Sequence, residues 1–216
     1  MTLILSAIYK NGICVCADKR HKITNGGKSI IFEDNHNKIY KFNKIPLIIS
    51  NHGINRIKNK GWEIFCSDYE KSNRWTNKNL FEIVNDFKNF IENDVIEELN
   101  IYKDGRRYVV GFLLCGKTSF DTKFKINELC WSIDSDGMEF EILRHRGLVM
   151  SGSGQKCLNT FLKDHQKLNT ESYWKSLDLT NTERELKKIF AVAVKEKILL
   201  GIDEFSDDPD IEYVGD

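Results

Sequence analysis

Thr2-Leu3-Ile4-Leu5-Ser6-Ala7-Ile8-Tyr9-Lys10-Asn11-Gly12-Ile13-Cys14-Val15-Cys16-Ala17-Asp18-Lys19-Arg20 is the stretch on which the reading of this chain turns. Two apolar runs, residues 3–9 and 13–17, flank Asn11-Gly12, a dipeptide that tolerates the positive φ of a tight turn. The stretch therefore predicts a β-hairpin beginning almost at residue one. It closes on three charged residues, Asp18, Lys19 and Arg20, at the end of the second strand.

Outward from the hairpin, residues 21–35 are polar and contain Gly26-Gly27, which reads as a loop or an irregular hairpin tip. Residues 38–42 and 46–50 read as two further short strands, broken by Asn51-His52-Gly53. Residues 54–72 have helical spacing, with Trp62, Phe65, Cys66 and Tyr69 on one face. After a polar break at 73–77, Asn77 or Lys78 starts a stronger helix. Its stripe is Leu80, Ile83, Val84, Phe87, Ile91, Val95, Ile96 and Leu99. Asp104-Gly105 is a turn, and residues 108–115 form a nearly continuous apolar strand. Residues 128–133 and 139–143 flank a hairpin turn at 134–137, and 147–150 is a short strand. Ser151-Gly152-Ser153-Gly154 opens a helical stretch to about residue 168. Thr180 or Asn181 caps a last helix to about residue 200, with Leu186, Ile189, Phe190, Ala193 and Val194 inward. Residues 211–214 close the chain as a strand.

Strands and helices thus come in blocks, which is an α+β pattern: two stacked antiparallel sheets with helices on both outer faces. No repeat or linker divides the chain, and 1–216 reads as one domain. Hydrophobic residues make up 41%, enough for a substantial core. Lys+Arg and Asp+Glu are both 32, a balance that argues against nucleic acid and anionic membrane as partners. No apolar run has the length of a membrane span, and the first residues lack the basic flank of a signal peptide. The six cysteines form no CxxC pair and sit mostly in apolar runs. They read as buried free thiols of a reducing, cytoplasmic environment.

The first chemical signal is positional. Thr2 follows Met1, and removal of a methionine ahead of a small residue would expose an α-amine of pKa about 7.7–8.0 beside a threonine hydroxyl. A terminal threonine activated by its own amine is a known form of nucleophile.

The segment from Thr2 to Arg20 resembles the start of a mature proteasome β subunit, and is similar to the peptidase subunit of the bacterial two-part ATP-dependent protease. The shared pattern is a threonine, an apolar strand, a turn with glycine, a second apolar strand, then Ala17-Asp18-Lys19-Arg20, with the aspartate sixteen residues after the threonine. Asn37-Lys38-Ile39-Tyr40-Lys41-Phe42 matches the family's lysine strand, and Ile48-Ile49-Ser50-Asn51-His52-Gly53 the strand that follows. Residues 108–116, 131–137 and Met150-Ser151-Gly152-Ser153-Gly154 resemble further blocks, and Asp203-Glu204-Phe205-Ser206 has the spacing of the family's Asp-x-x-Ser.

The resemblance implies the N-terminal-nucleophile hydrolase fold, a four-layer αββα sandwich. It implies Thr2 as nucleophile, Lys38 assisting proton transfer, Asp18 balancing Lys38, and the Gly53 N–H facing the oxyanion. Ser153, Asp203 and Ser206 would hold the terminal amine, and Arg20 would be structural. No metal or organic cofactor is implied. The implied activity is a threonine-type peptidase acting on a peptide or protein, assembled as a homo-oligomeric ring, its ATPase partner unidentified. Activation would rest on methionine removal. A transpeptidase or ligase using the same acyl-enzyme, and a structural subunit that keeps the fold, are the alternatives. His21, His36, Asn51 and Asn55 are candidate pocket residues, and His52 a structural or pocket-lining one.

Each residue alone has an ordinary reading. Asp18 and Arg20 suit a surface ion pair, Lys38 a solvated edge-strand lysine, residues 151–154 a helix cap, and residues 203–210 a solvated acidic loop. Their joint order carries the resemblance. Two departures stand out: the segment between Asp18 and Lys38 is about four residues longer than the family's, and Ser206-Asp207-Asp208-Pro209 replaces its usual Ser-Gly-Gly.

Overall fold

A computed structural model describes residues 2–25, 28–33, 36–58, 60–102, 104–201 and 205–215, with the backbone alone in 21–33. In chain order the elements are β1 (Ile4–Tyr9), β2 (Gly12–Asp18), β3 (His21–Asn25), β4 (Lys28–Glu33), β5 (Ile39–Lys41), β6 (Leu47–Gly53), β7 (Arg56–Ile57), β8 (Lys60–Gly61), α1 (Trp62–Lys71) and α2 (Leu80–Leu99). Then follow β9 (Tyr108–Gly116), β10 (Lys125–Asp134), β11 (Gly137–His145), β12 (Leu148–Ser151), α3 (Asn159–Asp164), α4 (Glu171–Lys175), α5 (Leu179–Leu199) and β13 (Pro209–Gly215). Two 3₁₀ turns, Ser153–Leu158 and Gln166–Asn169, flank α3.

The chain divides into two compact units. One is Met1–Ile39 with Arg146–Asp216, the other Tyr40–His145. In the first, the sheet runs β12-β1-β2-β13, every neighbour antiparallel. Leu3, Leu5, Ala7, Tyr9, Cys14 and Cys16 form one side of its core. Leu158, Trp174, Leu186, Ile189, Phe190 and Phe205 form the other. The alternate residues Ile4, Ser6, Ile8, Ile13, Val15 and Ala17 are also buried, so both faces of β1 and β2 are dry. That is why the hairpin reads as unbroken apolar runs and lacks polar alternation. Each large aliphatic buried there contributes about 1.5–3 kcal/mol.

In the second unit the sheet runs β11-β10-β9-β6-β5. Ile49, Val110, Phe112, Leu114, Leu129 and Trp131 pack with Trp62, Tyr69, Ile83, Phe87 and Val95 of the helices. Helix α2 opens on a capping box: the Asn79 side chain accepts from Glu82 N, and the Glu82 carboxylate accepts from Asn79 N.

Several boundaries depart from the sequence reading. The first hairpin turns at Lys10-Asn11, with Tyr9 opposite Gly12, one residue earlier than Asn11-Gly12. Gly12 pairs with both Tyr9 and Gly215 and is a strand residue, and β13 passes so close that a Cβ there would lie 2.2 Å from the Val214 carbonyl oxygen. Residues 21–25 and 28–33 pair as β3 and β4 with a register shift at Ile23-Thr24, which is the irregular hairpin of the two expected alternatives. The helix expected over 54–72 begins only at Trp62, preceded by the small hairpin β7–β8, in which Lys58 has φ +49°. Helix α2 starts at Leu80, not at Asn77 or Lys78, because Asn77 has φ +57° and Asn79 supplies the cap. The single helix expected from 151 to 168 is broken into 3₁₀ turns and α3, and α4 follows it. His165, with φ −121° and ψ 52°, leaves the helical region and ends α3. Asp178, whose carboxylate accepts from Asn181 N, caps α5 in place of Thr180 or Asn181. None of the six cysteines forms a disulfide, and five of them are buried. Burial pushes the Cys14 thiol up to about 12 and holds Cys16 and Cys66 well above the ordinary value. No helix among the described residues is long and apolar enough to cross a membrane.

Candidate active site

The first hairpin itself builds half of the site. With Ile4 opposite Ala17, the next pair outward is Leu3 and Asp18. Asp18 N donates to the Leu3 carbonyl at 3.1 Å, and Leu3 N donates to Asp18 Oδ1 at 2.8 Å. The sixteen-residue spacing of Thr2 and Asp18 is thus the arithmetic of two strands and a two-residue turn. It sets the carboxylate beside the start of β1.

Lys38 arrives from the residues just before β5. Its Nζ donates to Thr2 Oγ1 at 3.0 Å and to both Asp18 oxygens at 2.9 Å. Thr2 is fully buried, and neither the Lys38 nor the Asp18 side chain has any exposed surface. A buried ammonium and carboxylate are tolerable only when paired and further hydrogen-bonded. Asp18 meets that condition: Arg20 N donates to Oδ2 at 2.9 Å and Ser206 N to the same oxygen at 3.4 Å. Because Lys38 donates to the threonine oxygen, the Thr2 hydroxyl proton must point elsewhere, so the oxygen is oriented as well as polarised.

The turn after β12 covers the Thr2 backbone. Gly154 N donates to the Thr2 carbonyl at 3.0 Å. Gly152 has φ +89°, and a Cβ there would come within 2.2 Å of that same carbonyl oxygen, so only glycine fits. Ser153 lies between these two residues. Its Oγ is buried and has no hydrogen-bond partner among the described residues. An unmet buried hydroxyl costs about 1–3 kcal/mol, so this one is notable beside a candidate nucleophile.

The other expected site residues are placed as follows. The Ser206 hydroxyl accepts from Lys19 N at 2.8 Å and donates to the Asp208 carbonyl at 3.0 Å, while its own N–H serves Asp18. Asp203 lies outside the described residues. Gly53 belongs to the Tyr40–His145 unit, ends β6 and has φ +85°. Among the candidate pocket residues, Asn51 faces inward and its Nδ2 donates to the Gly111 carbonyl at 3.1 Å. Asn55 is also buried, and the side chain of His21 lies outside the description. Among the described residues no group of three or more His, Cys, Asp or Glu could hold a metal ion.

Sequence reasoning passed over a second buried polar cluster in the Tyr40–His145 unit. The Glu128 carboxylate accepts from His52 Nε2 at 2.7 Å and from His145 Nε2 at 2.8 Å. Gly111 makes room for the imidazole, since a Cβ there would lie 2.1 Å from the His52 ring. The available signal was a single acidic residue inside the apolar strand Ile126-Asn127-Glu128-Leu129-Cys130-Trp131. Burial pushes the Glu128 carboxyl up, but the hydrogen bonds from His145 and His52 outweigh it and hold the group well below the usual carboxylate range. With the folded value depressed, Glu128 contributes stability in full above its unfolded value. It loses that stability as pH falls through the depressed one. Urea midpoints measured from pH 6 downward should therefore fall more steeply for the native chain than for Glu128→Gln, which should be the less stable of the two at neutral pH.

No protein-family model matches the chain, and no characterised protein matches it in sequence. Solved structures do. Anbu from Pseudomonas aeruginosa, described as a helical assembly, aligns with TM-score 0.59 and 12% identity over 99% of this chain and 81% of that one. Anbu, or ancestral beta-subunit, from Yersinia bercovieri aligns with TM-score 0.55 and 9% identity over 99% and 81%. An Anbu (Gly-1) mutant from a Hyphomicrobium strain gives 0.52 and 11% over 100% and 87%. At such identities the likeness shows the fold, which is the αββα sandwich of the N-terminal-nucleophile hydrolase, proteasome-like type.

Proposed function

We propose that this protein is a threonine-type N-terminal-nucleophile hydrolase of amide bonds, with peptides or proteins as substrates and Thr2 as nucleophile once the residue ahead of it has been removed. One observation carries the reading: the buried Lys38 ammonium that bridges Thr2 Oγ1 and the Asp18 carboxylate. A solvated lysine would gain nothing from such a position, whereas a nucleophilic hydroxyl gains a neighbouring positive charge that favours its anionic form.

In the proposed sequence the Thr2 hydroxyl attacks the carbonyl carbon while its proton passes to the freed α-amine. The tetrahedral intermediate collapses, its C–N bond breaks, and the departing amine takes that proton. An ester on Thr2 remains. Water then adds with the same amine as base, releasing the acid and restoring the hydroxyl. By the family resemblance Ser153, whose hydroxyl is buried and has no hydrogen-bond partner among the described residues, would help hold the terminal amine. By the family resemblance, Gly53 N–H would receive the oxyanion and Asp203 and Ser206 would support the amine. A homo-oligomer in the cytoplasm belongs to the same proposal.

A second reading is favoured by the structural neighbours. Several are Anbu proteins, one described as a helical assembly, and a proteasome-like subunit that assembles without catalysis would share their fold. The test joins two measurements. The mass of the protein purified from cells should lack Met1, and an electrophile directed at terminal threonines should add once, to Thr2, and not to Thr2→Ala. Retention of Met1, or Thr2→Ala cleaving peptides as well as the native chain, sinks the hydrolase. A chain that assembles but neither labels nor cleaves is the structural subunit. Joined peptides formed when an amine acceptor is added would identify a transpeptidase acting through the same ester.

A further inference from the structure

The apolar stripe of α5 runs Leu186, Ile189, Phe190 and Ala193, and its next position one turn on is Lys197. Lysine at a core position is unusual, and here it is buried, with a side chain 5% exposed. Its ammonium donates to the Phe205 carbonyl, pairs with Asp207 Oδ1 at 2.5 Å and lies 4.9 Å from the Phe205 ring centre. An uncharged residue at 197 would pack against the same helices without specifying where residues 205–208 go. A buried ammonium does specify it, because moving the loop would leave the charge without ligands.

That loop touches the Thr2 site on two sides. Ser206 N donates to Asp18 Oδ2, and the Ser206 hydroxyl accepts from Lys19 N. The fully buried Phe205 ring packs on Phe190 and lies under Gly154, whose N–H holds the Thr2 carbonyl; a Cβ on Gly154 would meet that ring at 3.1 Å. Asp208 is tied in turn to Lys19 Nζ at 2.8 Å.

We propose that Lys197 is a positioning residue for the Thr2 nucleophile: from α5 it fixes the 205–208 loop, and the loop fixes both the Asp18 carboxylate and the turn that covers Thr2. The inference rests on the hydrolase reading above. It assigns to Lys197, one buried residue near the C-terminal end of α5, a part in setting the reactivity of a residue that it does not touch.

The test uses the full-length protein and compares Lys197→Met, which keeps the apolar stem, with the exposed Lys195→Met on the same helix. A threonine-directed electrophile gives the maximal inactivation rate and the inhibitor affinity separately. Hydrogen exchange reads the Lys19 and Ser206 amides. For Lys197→Met the maximal rate should fall on the order of tenfold to a hundredfold, as expected for sub-ångström to ångström misplacement of reacting groups. Affinity should stay unchanged, both amides should exchange faster, and Lys195→Met should match the native chain. Asp207→Asn, a change at an exposed partner, carries the same test should Lys197→Met not fold. A native chain that labels at the same rate as folded Lys197→Met, or as Asp207→Asn where Lys197→Met does not fold, overturns the positioning role alone. So does a slowed rate with unchanged amide exchange. A native chain that takes no label removes the hydrolase reading and this inference with it, whatever the exchange shows.

Discussion

Asp18→Ala is expected to lose about 3–5 kcal/mol of stability, the penalty typical of removing one member of a buried ion pair. The cause is specific to this site. The substitution strips two carboxylate oxygens from the Lys38 ammonium, which has no exposed surface through which water could replace them. It also takes from Leu3 N and Arg20 N the Asp18 acceptor they share, so the start of β1 and the exit from β2 lose a common tether. Urea unfolding followed by far-UV circular dichroism measures the loss directly. A midpoint close to that of the native protein would mean that the pair is solvated and not buried.

Lys38→Met should do the opposite: modest damage to the fold and severe damage to reactivity. The Asp18 carboxylate keeps its backbone donors from Leu3, Arg20 and Ser206, so its oxygens stay hydrogen-bonded. Methionine fills the space of the lysine stem. The Thr2 oxygen, however, loses the donor that orients and polarises it. Proton-transfer assistance of this kind contributes on the order of 10²–10⁴-fold, and the rate of covalent modification of Thr2 should fall by that factor. Lys38→Arg should not restore it, because a planar guanidinium cannot stand where a compact ammonium reaches one hydroxyl and two carboxylate oxygens. Equal labelling of the native chain and Lys38→Met would remove Lys38 from the mechanism.

Much of this site was legible because it is built on a hairpin. Strand pairing converts a spacing along the chain into a contact across two strands, and the apolar runs to either side of residues 10–12 announced the pairing. Glu128 and Lys197 were harder. Each is a charged residue within an apolar pattern, a visible irregularity. The partners that make it tolerable are distant in sequence, seventy-six residues away for His52 and eight to ten for Phe205 and Asp207. Helix starts were misplaced for a related reason. Periodicity reports which face of a segment is buried, but a single positive φ, as at Lys58 or Asn77, or one cap, as at Asp178, decides where the helix begins.

The amino-acid order alone determined the block pattern of strands and helices and the apolar hairpin at the start of the chain, since these follow from hydrophobic periodicity. The resemblance had implied that Lys38 belongs with Thr2; the tertiary structure decided the hairpin register that sets Asp18 beside the start of β1, that the Ser153 hydroxyl is buried with no hydrogen-bond partner among the described residues, and that Lys197 grips the loop behind Asp18. Those facts depend on which polar groups lose water together, and only packing sets that.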